Sequence, residues 1–193
     1  MQALLALIVA LGLQIAVNYS NDYSDGIRGT DDVRVGPIRL TASGLASAKA
    51  VKRAAFLSFG VACVAGLLLA AISSWWILIV GAISVLAAWG YTGGHTPYGY
   101  RGFGELSVFI FFGVVATVGT YYVQTLEFST AAFAASVSMG SLSCALLVIN
   151  NIRDRAQDAQ VGKKTLAVRL GDEKARKFFI ALLVLPYIFA PLT

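Results

Sequence analysis

Charged residues are scarce in this chain: they make up 13% of 193 residues, against roughly 25% in an average soluble domain. An ordinary water-facing surface is thereby excluded. Two cysteines exclude a disulfide scaffold, and a single histidine with no ligand spacing around it excludes the usual zinc sites. Four prolines and nineteen glycines show neither collagen-like nor linker-like bias. No Ser-His-Asp set or Walker loop is present. Apolar residues dominate instead: 58% of the chain is hydrophobic and mean hydropathy is +0.74. That content is too high for disorder and suits several membrane spans of about 20 residues each.

Six apolar stretches are legible, over 1–17, 54–72, 75–92, 106–123, 130–150 and 178–192. Their interiors hold no Lys, Arg, Asp or Glu, as a helix in hydrocarbon requires. Runs such as 61–69 are apolar on every side, whereas a membrane barrel strand would alternate. The expected fold is therefore all-α, a polytopic transmembrane helical bundle of about six spans. The connections alternate in charge. The first carries Arg28, Arg34, Arg39, Lys49, Lys52 and Arg53; the third carries Arg101; the fifth carries Arg153, Arg155, Lys163, Lys164, Arg169, Lys174, Arg176 and Lys177. These account for every basic residue, and the net charge of +5 reads as basic loops on a cytoplasmic face rather than as a nucleic-acid surface. Trp75, Trp76, Tyr121 and Tyr122 flank the short connections as interfacial aromatics do.

Chemistry concentrates where the first and fifth spans meet the basic side. If the helices run on past the membrane edge, Asn18, Asp22 and Asp25 share one face at i, i+4, i+7 spacing. Asn150, Asp154 and Asp158 do so at i, i+4, i+8, and Asn21 lies beside the first set. Oxygen ligands of this kind suit hard cations, and Mg²⁺ is usually held by one or two carboxylates plus substrate phosphates. Mg²⁺ bridging these clusters to a lipid diphosphate accounts for the pairing, with Arg28, Arg101, Arg153, Lys163 and Lys164 available to clamp phosphate oxygens. Carboxylates after a span are ordinarily solvated loop residues; two Asn-plus-Asp faces on one side make that reading harder to sustain. Asp31, Asp32, Glu105, Asp172 and Glu173 are the other acids on that side.

The third connection is a glycine-rich loop from Tyr91 to Glu105 in which Tyr91 and Tyr98 are candidates for an aromatic acceptor site. Interfacial tyrosines are also common without such a role. Arg169, Lys174, Arg176 and Lys177 read as topology anchors, Cys63 and Cys144 as packing residues, and His95 as incidental.

At these residues the chain resembles the UbiA-type membrane prenyltransferases, most closely the branch that prenylates 1,4-dihydroxy-2-naphthoate. Asn18 through Asp25, followed by Gly26 and Arg28-Gly29-Thr30-Asp31, is similar to the first aspartate motif in its naphthoate-specific form. Tyr91-Thr92-Gly93-Gly94 through Pro97-Tyr98-Gly99-Tyr100-Arg101-Gly102 is similar to the middle loop. Asn150-Asn151 through Arg153-Asp154, Asp158 and Gly162-Lys163-Lys164 is similar to the second motif and its tail. Two departures stand out: Gly29 where the wider superfamily often has a further Asp, and His95 where the branch has proline.

The resemblance implies a Mg²⁺-dependent transfer of a polyprenyl group from polyprenyl diphosphate to 1,4-dihydroxy-2-naphthoate, with loss of the ring carboxylate, in menaquinone synthesis. It implies metal ligation by Asp22, Asp25, Asp154 and Asp158, a diphosphate and metal shell of Asn18, Asn21, Asn150, Arg28, Arg101 and Lys163, and an acceptor site near Tyr91 and Tyr98. The lipid bilayer is the implied surrounding, the cell membrane the location, and the cytoplasmic face the side of chemistry. Related acceptors are hydroxybenzoate and homogentisate. A cation transporter using the same carboxylates is the competing class, against which no acid lies near mid-membrane. Family members have about nine spans, so residues 1–193 read as one membrane-embedded domain truncated at both ends. On that reading Asn18 and the serines at 136, 138, 141 and 143 are left facing lipid, and the chain alone is expected to be a poor enzyme.

Overall fold

The computed structural model describes residues 1–30 and 36–193, which places Asp31, Asp32 and Arg34 outside the described residues. Among the described residues six long helices follow one another: α1 Gln2–Ile27, α2 Ala48–Ile72, α3 Ile77–Gly90, α4 Gly104–Thr125, α5 Thr130–Gln160 and α6 Leu166–Phe189. No strand occurs among the described residues, and the all-α membrane bundle stands. Side-chain caps start two of the helices: Ser47 Oγ accepts the Ala50 amide at 3.3 Å, and Ser129 Oγ accepts that of Ala131 at 3.2 Å.

Among the described residues, five helices are long and apolar enough to cross a membrane; α3 is the shorter exception. The regular helix is thus shorter than the stretch expected over 75–92. Trp75 and Trp76 form a turn ahead of the helix, and regular structure ends at Gly90. Fourteen residues rise only about 21 Å, short of a hydrocarbon core about 30 Å thick. At the far end of the chain, α6 starts at Leu166 rather than near residue 178, and its axis breaks at Gly171, where φ is 75°. Residues 166–177, which composition alone marks as part of a polar connection, are helical on either side of that break.

The chain divides into two compact units, Met1–Tyr100 and Arg101–Thr193. In the first, α1 and α2 pack through small residues. Gly12 lies so close to Ala62 that a Cβ at position 12 would stand 3.0 Å from that of Ala62. Ala16, Ala55, Ala62 and Ala65 are all buried along the seam. Close backbone approach is how helices gain dispersion energy where lipid offers no hydrophobic drive. In the second unit, Cys144, Ala145, Val148 and Leu182 form a core flanked by Phe109, Phe178 and Phe179. The π-helical turn at Phe109–Val115 within α4 brings Gly113 against Gly140 of α5. Ser136 and Ser141 are almost wholly buried here, with their hydroxyls bonded to the carbonyls of Phe133 and Val137. These two serines therefore do not face lipid, contrary to the sequence expectation. Large apolar side chains such as Leu86, Leu146 and Ile180 point outward, as lipid-facing positions require.

Candidate functional site

Helix α1 does continue past its apolar stretch, and its last two turns carry the first acidic motif. Asp22 and Asp25 are both 5% exposed, so each needs partners for its charge. Asp22 finds two backbone amides: Leu40 N–H donates to Oδ2 and Thr41 N–H to Oδ1, each at 2.8 Å. The returning segment comes this close because position 26 is glycine; a Cβ there would sit 2.5 Å from Thr41 Cβ. Asp25 accepts a hydrogen bond from the Tyr100 hydroxyl. Burial first, and then the adjacent Asp25 carboxylate, push the Tyr100 phenol above its ordinary pKa, so the hydroxyl holds its proton more tightly than a free tyrosine does.

The glycine-rich loop is bound to this motif at several points. Thr92 Oγ1 donates to Asn21 Oδ1 at 2.7 Å. Arg28 donates to the Thr92 carbonyl at 2.6 Å and the Gly94 carbonyl at 2.5 Å, and its guanidinium lies 5.6 Å from the Tyr100 ring centroid. Arg28, expected to clamp phosphate, therefore holds the loop in this structure. Tyr91 and Tyr98 meet edge to face at 5.6 Å, and the Tyr98 hydroxyl donates to the Ala87 carbonyl at 2.8 Å, completing the end of α3. Asn18 is exposed, with its amide on the Gln14 carbonyl. Arg101 is exposed at the end of a 3₁₀ turn, Gly99–Arg101.

Along α1 and α2 runs a groove of about 1040 Å³. Leu5, Ile8, Phe56, Leu57, Gly60, Val64 and Leu68 line it, and Lys49, Lys52 and Arg53 form its basic end. The Lys52 ammonium lies 5.2 Å from the ring centroid of Tyr23, within cation–π range. Tyr23 is the residue after Asp22, so the basic end of the groove adjoins the acidic motif.

The second motif lies on α5 beyond its apolar part. Asp154 forms a two-point pair with Arg153, Nε to Oδ1 at 2.6 Å and Nη2 to Oδ2 at 2.7 Å. Asp158 is 8% exposed and accepts from Thr165 Oγ1 at 3.5 Å; its backbone carbonyl accepts the Lys163 amide at 2.8 Å. Asn150 and Lys163 are half-buried nearby in sequence. Asn151 donates from Nδ2 to Glu105 Oε1 at 3.0 Å. Glu105 is 5% exposed, and its Oε2 is buried without a partner, an arrangement that costs on the order of 1–3 kcal/mol.

Among the described residues, no three His, Cys, Asp or Glu side chains converge as a metal cluster. The donor set nonetheless suits Mg²⁺ in kind: every candidate atom is an oxygen, and this cation needs only one or two protein carboxylates beside phosphate and water. Each oxygen of Asp22 keeps a lone pair after accepting one amide. Sequence reasoning singled out Asn18, Asn21, Asp22, Asp25, Arg28, Tyr91, Tyr98, Arg101, Asn150, Asp154, Asp158 and Lys163; it missed the parts played by Thr92, Tyr100, Glu105 and Asn151. An acid at the threshold of an apolar run, as Glu105 is, was the one available signal.

Apolar helices of spanning length, two of them ending in Asn- and Asp-containing turns, define an integral membrane protein. The family model for the UbiA prenyltransferase family matches residues 1–193, and the chain belongs to that family. It is 56% identical over 182 residues to the 1,4-dihydroxy-2-naphthoate octaprenyltransferase of Mycobacterium tuberculosis, covering 94% of this chain and 62% of that relative. The enzyme of the same name in Mycobacterium leprae is 54% identical over 95% of this chain and 62% of its own length. That of Escherichia coli is 40% identical over 94% and 61% respectively. The chain thus spans somewhat over three fifths of the curated relatives it matches. No solved structure matches it.

Proposed function

We propose that this chain carries both acidic motifs of a prenyltransferase that moves a polyprenyl group from its diphosphate to 1,4-dihydroxy-2-naphthoate, releasing carbon dioxide, at the cytoplasmic face of the cell membrane. The observation that carries the reading is the α1–α2 groove, whose apolar length suits an isoprenoid tail and whose basic end adjoins the Asp22–Asp25 motif through Lys52 and Tyr23. The names of relatives at 40–56% identity support the choice of acceptor.

In this reading Asp22, Asp25, Asp154 and Asp158 hold Mg²⁺, with Asn18, Asn21 and Asn150 contributing amide oxygens. The metal, when bound, neutralises charge building on the departing diphosphate. Lys49, Lys52 and Arg53 draw the diphosphate head to the end of the groove, and Arg101 and Lys163 stabilise its oxygens. The apolar lining keeps water from the allylic cation left when the C–O bond breaks. The electron-rich ring, received near Tyr91 and Tyr98, captures that cation, and the electrons of the bond to the departing carboxylate return to the ring. Arg28 and Tyr100 act by holding the loop that carries those tyrosines.

A labelled polyprenyl diphosphate offered with dihydroxynaphthoate, hydroxybenzoate or homogentisate, with and without Mg²⁺, tests each part separately. Prenylated naphthol formed only with Mg²⁺ is the expected result. Transfer to another acceptor alone overturns the choice of substrate, and transfer in chelator overturns the metal.

A further inference from the structure

Glu105 is a buried carboxyl group that the mechanism above leaves unused. It opens α4, is 5% exposed, and has no cationic side chain bonded to it among the described residues. What it does have is Asn151, whose Nδ2 donates to Oε1 at 3.0 Å across 46 residues of sequence. Asn151 stands three residues before Asp154 and seven before Asp158 on α5, so all three occupy one side of that helix.

An asparagine amide has one face that repels a cation and one that attracts it, and nothing intrinsic selects between them. Oε1 of Glu105 is the acceptor here, so the bond commits the NH₂ group of Asn151 and leaves Oδ1 as the oxygen the side chain can offer elsewhere. We propose that Glu105 is a positioning residue: it locks the Asn151 amide so that Oδ1 is presented to the metal and diphosphate served by Asp154 and Asp158. The inference rests on the Mg²⁺ reading above. Outer partners that orient metal ligands in this way commonly govern affinity by 10–100-fold. The sealed Oε2 fits the same role, since a group kept in place despite an unpaired oxygen is kept for what its other oxygen does.

The test uses this chain reconstituted in lipid nanodiscs, with Mn²⁺ as a paramagnetic substitute for Mg²⁺ and inorganic diphosphate as the anion. Mn²⁺ affinity is read by electron paramagnetic resonance and folding by thermal melting. Glu105→Ala and Asn151→Ala are each expected to weaken Mn²⁺ binding about tenfold. The double variant should be no weaker than Asn151→Ala alone. Glu105→Gln, whose Oε1 still accepts from Asn151, should stay within about twofold of the parent. Equal losses in Glu105→Gln and Glu105→Ala would overturn the inference, as would unchanged binding in a folded Glu105→Ala. Should that variant not fold, Asn151→Leu decides, since unchanged Mn²⁺ binding there also overturns it. A parent chain that binds no Mn²⁺ removes the metal reading and this inference together; a parent that binds with indifferent variants removes only the inference.

Discussion

The hydroxyl of Tyr100 donates to the carboxylate of Asp25 although 75 residues separate them. This one bond joins the end of the glycine-rich loop to the first acidic motif, and Arg28 secures the same loop at Thr92 and Gly94. The loop and the motif are therefore a single structural feature, and disturbing either displaces both.

Tyr100→Phe removes the donor but keeps the ring beneath Arg28. In the whole protein in lipid, turnover is expected to fall roughly tenfold, the loss of one charge-assisted hydrogen bond, and the melting temperature at pH 7 should fall with it, since Asp25 loses a donor where it is buried. Unchanged turnover would show that the loop needs no tie to Asp25. The same residue sets a pH response. Its pKa is raised in the fold above the usual value of about 10, so its share of stability is complete below that pH and is lost as pH climbs beyond it. Between pH 9 and 11 the parent should lose melting temperature faster than Tyr100→Phe.

The two motifs should respond differently to neutralisation. Asp22→Asn replaces one acceptor of the Leu40 and Thr41 amides with a donor, so it should lower both melting temperature and turnover. Asp154→Asn and Asp158→Asn should cut turnover by about 100-fold or more while melting changes little. Asp172, exposed and paired with Arg176 at 2.7 Å, should tolerate Asn with near-normal turnover. Full activity in a folded Asp158→Asn would sink the two-motif mechanism.

Packing in the second unit can be tested at glycine. Gly113→Ala would place its Cβ 2.6 Å from Gly140 Cα and 2.9 Å from the Ser136 carbonyl oxygen. Separating α4 from α5 to admit it should cost about 1–3 kcal/mol, seen as a lower melting temperature. Gly119→Ala meets nothing within 4 Å and should be neutral or slightly stabilising. Equal effects at the two positions would mean the close approach is not rigid.

Orientation is open to labelling. Cysteines placed at Arg39, Arg101 and Lys164 should react from the cytoplasmic side, and those at Ser74 and Gln124 from the other. Because α3 is short, Arg101 is the informative site: its labelling from the side opposite to Arg39 would show that Ile77–Gly90 turns back without crossing.

The helical class and the two acidic helix ends were legible because both follow from local pattern. An uncharged run of spanning length has no satisfactory form in lipid other than a helix, and a spacing of three to four residues places Asp22 with Asp25, or Asp154 with Asp158, whatever surrounds them. The third helix is shorter than its apolar stretch because hydropathy does not report where the turn at Trp75 and Trp76 takes up residues that composition would assign to the helix. The extent of α6 was missed for the converse reason, since Leu166 to Lys177 is polar enough to read as a loop and becomes helical nonetheless.

By itself, then, the order of residues determined which segments are apolar, which helix ends carry clustered Asn and Asp, and how basic residues are distributed among the connections, since each of these depends on neighbours a few positions away. Only the tertiary structure decided what those side chains are bonded to. That Asp22 would accept the amides of Leu40 and Thr41, that Arg28 would hold carbonyls of a distant loop, and that Glu105 would meet Asn151 depends on which segments fold back into contact. A buried polar group takes whichever partner the packed chain brings within about 3 Å, and no local spacing encodes that choice.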